Sequence, residues 1–336
     1  MRTLAVPRLT LFVVSIVFAI ASAVPVPSGS AKAHDANQVS LPPIKPASVS
    51  GHIKMGGVAT LALLNQKIAE QFKADGFSGN IVIVPSTSGA HVEAFCKGEV
   101  DIVGINSELD PLDNPNQTAG CKKNGIVPIT FTVALNALSV VVSRQNRFID
   151  SLNQEQLFNI FSGKSKTWKE VNAKWPDQKI RVLSEMPRSG SYDFLTDVLF
   201  RPVWPDHVVH DKVISSVPGI KMSADVNLLS KEIYGSLFTI GYFDFTFYAQ
   251  NRSRLRAVAF AGVMPTTHSV ADGRYPLSRP LMLVTSAKTL KDKPQVNAFV
   301  NYYLMHASAL TLDAGYFPAA TAALDKAKRE WQNAQK

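Results

Sequence analysis

The sequence predicts an α/β protein built on open, mostly parallel sheets and long enough for two domains. Three observations carry that expectation. Strand-like runs alternate with helical ones along the chain. About 290 residues follow an apolar leader and its tail, enough for two ordinary cores. Three turns of one composition, rich in Gly, Ser, Thr and Ala, each stand after a strand and before a helix.

The leader comes first. Arg2 and Arg8 precede and enter the apolar run "LTLFVVSIVFAIASAV", and small-x-small sites end at Ala23 and Ala33. That is the pattern of a secretory signal peptide over residues 1–33. A membrane anchor is the alternative, but the run is short for a span and has cleavage sites on its far side. Residues 34–47, rich in Pro, Ser and Ala, read as a linker. "HIKMGG" is a strand entering "TLALLNQKIAEQF", where Leu61, Leu64, Ile68 and Phe72 mark one helical face. "NIVIVPSTSG" leads into the helix "AHVEAFCKG", and "VDIVGIN" is the next strand. "ALSVVVSR" is a strong strand, "NQEQLFNIFSG" an amphipathic helix, and "KIRVLSE" a strand running into "MPRSGSYDFL". "LFTIGYFDFTFYAQN", "LRAVAF" and "RPLMLVTS" follow, and helical segments close the chain from about Pro294.

In open α/β sheets, ligands sit over the turns at the carboxyl ends of strands. The turns here are "GGVATL" (56–61), "PSTSGA" (85–90) and "RSGSYD" (188–193). Any one of them is explained by an ordinary N-cap, since Ser satisfies the first N–H groups of a helix. Three together offer converging backbone donors and hydroxyls, which suit a tetrahedral oxyanion. The formal charge of +9 falls to +6 once Arg2, Arg8 and Lys32 leave with the leader, in keeping with an anionic ligand without singling one out. The two cysteines, Cys96 and Cys121, are expected to pair in an exported chain, a bond worth about 3 to 4 kcal/mol on the chain-entropy picture.

Other signals point nowhere specific. "SGKSKTW" lacks the first glycine of a nucleotide loop, which would fall on Phe158, and reads as a turn. His207 and His210 have helical spacing with Asp206 and Asp211 nearby, but no third cluster, so a partly exposed surface pair is expected and no metal site. Hydrolase, zinc and redox motifs are missing, and "NRSRLR" reads as a solvated helix end.

Taken in order, "EAFCKGEVDIVGINSELDP", "CKKNGIVPITFTVALNALSVVVSRQNRFIDSL", "IFSGKSKTWKEVNAKWPDQKIRV" and "IGYFDFTFYAQNRSRLRAVAF" resemble the periplasmic phosphate-binding proteins of ABC-type phosphate transporters, closest to the branch common in cyanobacteria. The resemblance runs from about Gly51 to at least Ala271. It implies a two-domain clamp (type II) with the ligand in the cleft between domains. Domain I would hold residues 48–137 and 257–336, domain II residues 138–256, with crossings near 136–138 and 254–258. It further implies phosphate as ligand, a membrane permease as partner, a monomeric periplasmic receptor rather than an enzyme, no cofactor and no nucleic acid.

Carried onto this chain, the family's binding loops keep Thr60 in "GVAT", where Val58 and Ala59 replace two hydroxyls, and Ser86, Ser88 and Gly89 in "STSG". Ser189, Gly190 and Ser191 match Ser-Gly-Thr. Ser107 and Glu108 stand in the loop where relatives have Ala-Ser-Arg-Pro or Ala-Ser-Asp, so the usual arginine there is absent. Glu185 stands where some relatives carry another arginine. Arg188 is then the natural replacement cation, unless it points to solvent. Glu108, with Asp110 or a solvated loop carboxylate as alternatives, would accept the proton that phosphate keeps near neutral pH and sulfate lacks. The competing readings are a receptor for another oxyanion or small anionic solute, and an exported protein whose site has degenerated.

Overall fold

The computed structural model describes residues 38–86, 88–106, 115–187 and 189–336, without the side chains of residues 59, 85–86, 88–89 and 115–118. The first third alternates β1 (His52–Val58), α1 (Ala62–Ala74), β2 (Asn80–Ser86), α2 (Ser88–Cys96), β3 (Ile102–Ile105), α3 (Pro115–Lys123) and the long β4 (Pro128–Ser143). The middle holds β5 (Ser151–Leu152), α4 (Gln154–Phe161), α5 (Trp168–Val171), β6 (Arg181–Glu185), α6 (Gly190–Phe200), α7 (His207–Ser215), β7 (Lys221–Ser223), α8 (Val226–Tyr234), β8 (Thr239–Asp244) and α9 (Phe245–Gln250). The last part runs through β9 (Leu255–Ala257), β10 (Ala259–Phe260), α10 (Thr267–Ala271), β11 (Ser278–Ser286), α11 (Ala287–Asp292), α12 (Pro294–Asp313), β12 (Phe317–Pro318) and α13 (Thr321–Ala334).

Strands order as β2-β1-β3-β11-β4-β8-β6-β7, with β9 and β12 also against β4, and β5 pairs with β10 separately. β1, β2 and β3 are mutually parallel, as are β6, β7 and β8, so each trio has one common carboxyl edge. β4 serves both trios. Its residues 128–137 pair with β11, and its residues 138–142 pair with β8, so the partner changes within one strand.

Two main apolar cores lie on either side of that change. Leu64, Ile68 and Phe72 of α1 meet α12 in the first, where the Phe72 ring lies 5.3 Å from Phe299 and 5.0 Å from Tyr302. Trp168, Phe161, Leu195 and Tyr242 fill the second. Val258, Phe260, Val270, Tyr275 and Leu277, from the chain after β9, also pack into the second core. Part of the expected linker is packed as well. Leu41 enters the first core, Val39 N donates to Asp325 at 3.1 Å, and Asn301 Nδ2 donates to the Pro42 carbonyl at 3.2 Å. Among the described residues no helix is long and apolar enough to cross a membrane. Residues 1–37, the leader and the start of the linker, lie outside the described residues.

The cysteines pair as expected. Cys96 at the end of α2 is bonded to Cys121 in α3, closing a ring that contains β3.

Candidate functional site

The two carboxyl edges supply facing turns. On the first, Gly57 adopts φ +139°, a region that favours glycine, and its N–H donates to His91 Nδ1 at 3.0 Å. A Cβ there would stand 2.4 Å from the Gly104 carbonyl oxygen, so only glycine lets β1 lie this close to β3 at its end. The chain then turns through Thr60 into α1. Thr60 Oγ1 is buried with no hydrogen-bond partner among the described residues. Ser86 ends β2, and Ser88 and Gly89 open α2, so their backbones occupy the expected strand-to-helix turn.

The second turn is the start of α6. Ser189 is its N-cap, with Oγ accepting from Tyr192 N at 3.1 Å. The first turn of a helix leaves its N–H groups without intrahelical partners, and Gly190 and Ser191 supply two of them. The two turns face one another. A Cβ on Gly190 would lie 3.1 Å from Thr60 Cγ2 and 3.5 Å from Arg279 Nη2. A side chain there would press on the Thr60 methyl, so glycine suits the approach.

Arg279 was not singled out in the sequence, and among the described residues it is the cation at this point. It stands near the start of β11, opposite Asn136 of β4. Its Nη2 donates to the Gly190 carbonyl at 3.0 Å, and its guanidinium lies 4.4 Å over the Phe194 ring. With the Asn106 amide turned so that its oxygen faces the guanidinium, that oxygen accepts from Nη1 and Nη2 at 3.1 Å. Among the described residues the buried Nε has no hydrogen-bond partner and no carboxylate is in ion-pair contact with the group. Burial brings the Arg279 pKa down to about 10, against the pull of Asp244, Asp197 and Asp193.

Two carboxyl groups complete the arrangement, each the last residue of its strand. Glu185 ends β6, and burial raises its pKa to about 7. The nearby hydroxyls of Ser189 and Ser191 pull the other way, while the Asp244 charge adds to the rise. Asp244 ends β8 and accepts from Asn136 Nδ2 at 3.0 Å. Burial raises it too, opposed by Asn136, Arg279 and Ser191.

Of the residues expected from the sequence, Thr60, Ser189, Gly190 and Ser191 come together here. Ser86, Ser88 and Gly89 are placed by their backbone. Ser107, Glu108, Asp110 and Arg188 lie outside the described residues. Arg279, Asn106, Asn136, Glu185 and Asp244 join them. Two of these were within reach of the rule already applied, since Glu185 and Asp244 terminate neighbouring parallel strands. Chemically the cluster offers a guanidinium, a hydroxyl and a helix start to an anion, and two carboxyl groups able to hold or take a proton.

Comparisons with known proteins agree with this geometry. A family model described as a PBP superfamily domain matches residues 43–306. The phosphate-binding protein PstS of Staphylococcus aureus (strain USA300) is 30% identical over 278 residues, covering 81% of this chain and 80% of its own length. A crystal structure described as a possible phosphate binding protein from Planctomyces limnophilus DSM 3776 is 27% identical with a TM-score of 0.68, covering 86% of this chain and all of its own. An ABC-type phosphate transport receptor from Vibrio cholerae, at 20% identity, shares the fold with a TM-score of 0.63, covering 79% of this chain and 99% of its own. These neighbours share a two-domain clamp fold. The chain therefore belongs to the PBP superfamily and, within it, to the family of phosphate-binding proteins.

Proposed function

We propose that this chain is an exported receptor, monomeric after loss of its leader, that captures inorganic phosphate and delivers it to the membrane permease of an ABC-type transporter. It binds its ligand and does not transform it. The observation that carries the reading is Arg279. A buried guanidinium stands beside a helix start and opposite the Thr60 hydroxyl, and among the described residues neither its Nε nor that hydroxyl has a hydrogen-bond partner. An oxyanion gives all three groups a partner at once. Arg188, directly before the cap, is the second cationic candidate.

Selectivity follows from the carboxyl groups. Once ionised, Glu185 and Asp244 only accept, as Glu108 would, so a bound anion must bring a proton or meet unrelieved repulsion. Phosphate keeps one near neutral pH, and sulfate does not. Calorimetric titration against phosphate, sulfate, arsenate and molybdate tests the proposal. Phosphate should bind tightly and sulfate far more weakly. No binding of phosphate, or equal affinity for sulfate, would overturn it in favour of a receptor for another small anionic solute. The two hydroxyls lost at Val58 and Ala59 give that second reading its support.

A further inference from the structure

The other end of α6 meets α7 in a cluster that the anion site does not use. His207 and His210 were read above with Asp206 and Asp211 as a partly exposed pair. The structure commits those two aspartates elsewhere. Asp206 caps α7 by accepting from Val208 N, and Asp211 accepts from the Tyr192 hydroxyl at 2.8 Å. The carboxylate beside the histidines is Asp197 of α6, and His210 is fully buried. One donor atom from each of Asp197, His207 and His210 lies within 4.8 Å of the other two.

The hydrogen bonds of His210 fix its chemistry. Its Nε2 is 2.6 Å from the Trp204 carbonyl oxygen, which only accepts. Nε2 must therefore carry a proton, and in the neutral ring Nδ1 presents a lone pair. Among the described residues Nδ1 has no partner, and neither does the buried Asp197 Oδ1. A buried polar atom left without a hydrogen bond is costly and points to a missing partner, and here two such atoms belong to one cluster. His207 Nε2 closes the group at 3.6 Å from Asp197 Oδ1, its ring 5.1 Å from that of His210. A metal-ligating histidine characteristically donates its second nitrogen to a backbone carbonyl, which is what His210 does.

We propose that Asp197, His207 and His210 form a three-ligand site for a divalent transition-metal ion. Two imidazole nitrogens and one carboxylate oxygen suit Zn²⁺, with the remaining position open to solvent beside the exposed His207. Phe200 and Trp204 wall the opposite side, the Phe200 ring 5.7 Å from that of His210. Burial raises the Asp197 carboxyl, against the pull of His207, Arg201, His210 and Arg279, and a bound cation would reverse that balance. The ion would tie α7 to the helix whose first turn holds Ser189 and Ser191, roughly 10 Å away along its axis.

The test is a Zn²⁺ titration of untagged, EDTA-treated protein in phosphate-free buffer, followed by calorimetry and by melting temperature. One ion per chain should bind and raise the melting temperature. His207→Ala and Asp197→Asn, both at partly exposed positions, should each weaken binding at least tenfold, since even outer-shell partners of metals are worth about 10- to 100-fold. The metal-free melting temperature of each variant shows that it is folded, so the outcome does not depend on the buried His210. Absence of zinc binding overturns the proposal. So does binding that both variants retain at the parental affinity, which would place the ion on other histidines.

Discussion

The two faces of the cleft are built on opposite plans. Among the described residues, the turn from β1 into α1 is uncharged: Gly57 lets the strand end lie against Gly104, Val58 is buried, and Thr60 offers one hydroxyl without a hydrogen-bond partner. The α6 side, with β11 and β8 behind it, gathers Arg279, Glu185 and Asp244 around a helix start. The first face supplies shape and one hydrogen bond, the second charge and proton control. Affinity and selectivity should therefore be concentrated on the α6 side.

The largest test of that difference is Arg279→Ala. Removing one member of a buried charge pair costs about 2 to 5 kcal/mol, so phosphate affinity should fall a hundredfold or more. Arg279→Lys should recover only part, because an ammonium lacks the planar fork that spans Gly190 and Asn106. Calorimetry decides, and an undiminished Arg279→Ala would place the needed cation elsewhere, with Arg188 next in line.

Glu185→Gln comes second and is read against pH. Below about pH 7 the parent carboxyl is neutral and resembles the amide; above it, ionisation sets charge against the anion. Parental affinity divided by that of the variant should fall about tenfold between pH 5.5 and 8.5, a ratio from which the ligand's own titration cancels. Stability of the ligand-free protein should change in step. A carboxyl raised in the fold binds more protons folded than unfolded, so the parent loses stability as pH rises from 4.5 to about 7. Glu185→Gln should therefore melt higher at pH 8, by at most about 3 kcal/mol, and converge with the parent below pH 4.5. A flat affinity ratio would mean that Glu185 faces away from the ligand.

Thr60→Val should have the smallest effect. It removes one hydroxyl at nearly constant shape, so a loss of about 1 to 1.5 kcal/mol, five- to tenfold in affinity, is expected by calorimetry. A loss larger than that of Arg279→Ala would invert the comparison between the two faces.

Much of the α6 face could be read in the sequence. A strand, a Ser-Gly-Ser turn and an apolar helical periodicity are local signals, and the cap at Ser189 follows from them. Arg279 could not be found that way. It reaches Gly190 across 89 residues, and Asn136 reaches Asp244 across 108, through the registers of β11 and β8 on β4. Sheet register between distant strands leaves no local trace. The carboxylate beside the histidine pair was hidden for a similar reason: Asp206 and Asp211 are neighbours in sequence, whereas Asp197 is a neighbour only because α6 packs on α7. The contacts of residues 39–42 also left no trace, because a Pro- and Ser-rich composition says nothing of the polar partners that α12 and α13 provide.

Arg279 and Asn136 are opposed in register one residue before β4 exchanges β11 for β8. The Arg279 backbone is therefore anchored next to the point where the two halves of the sheet share one strand, while its guanidinium reaches out to the Gly190 carbonyl at the first turn of α6. One side chain thus links the strand common to both halves with the helix start that offers its N–H groups to an anion.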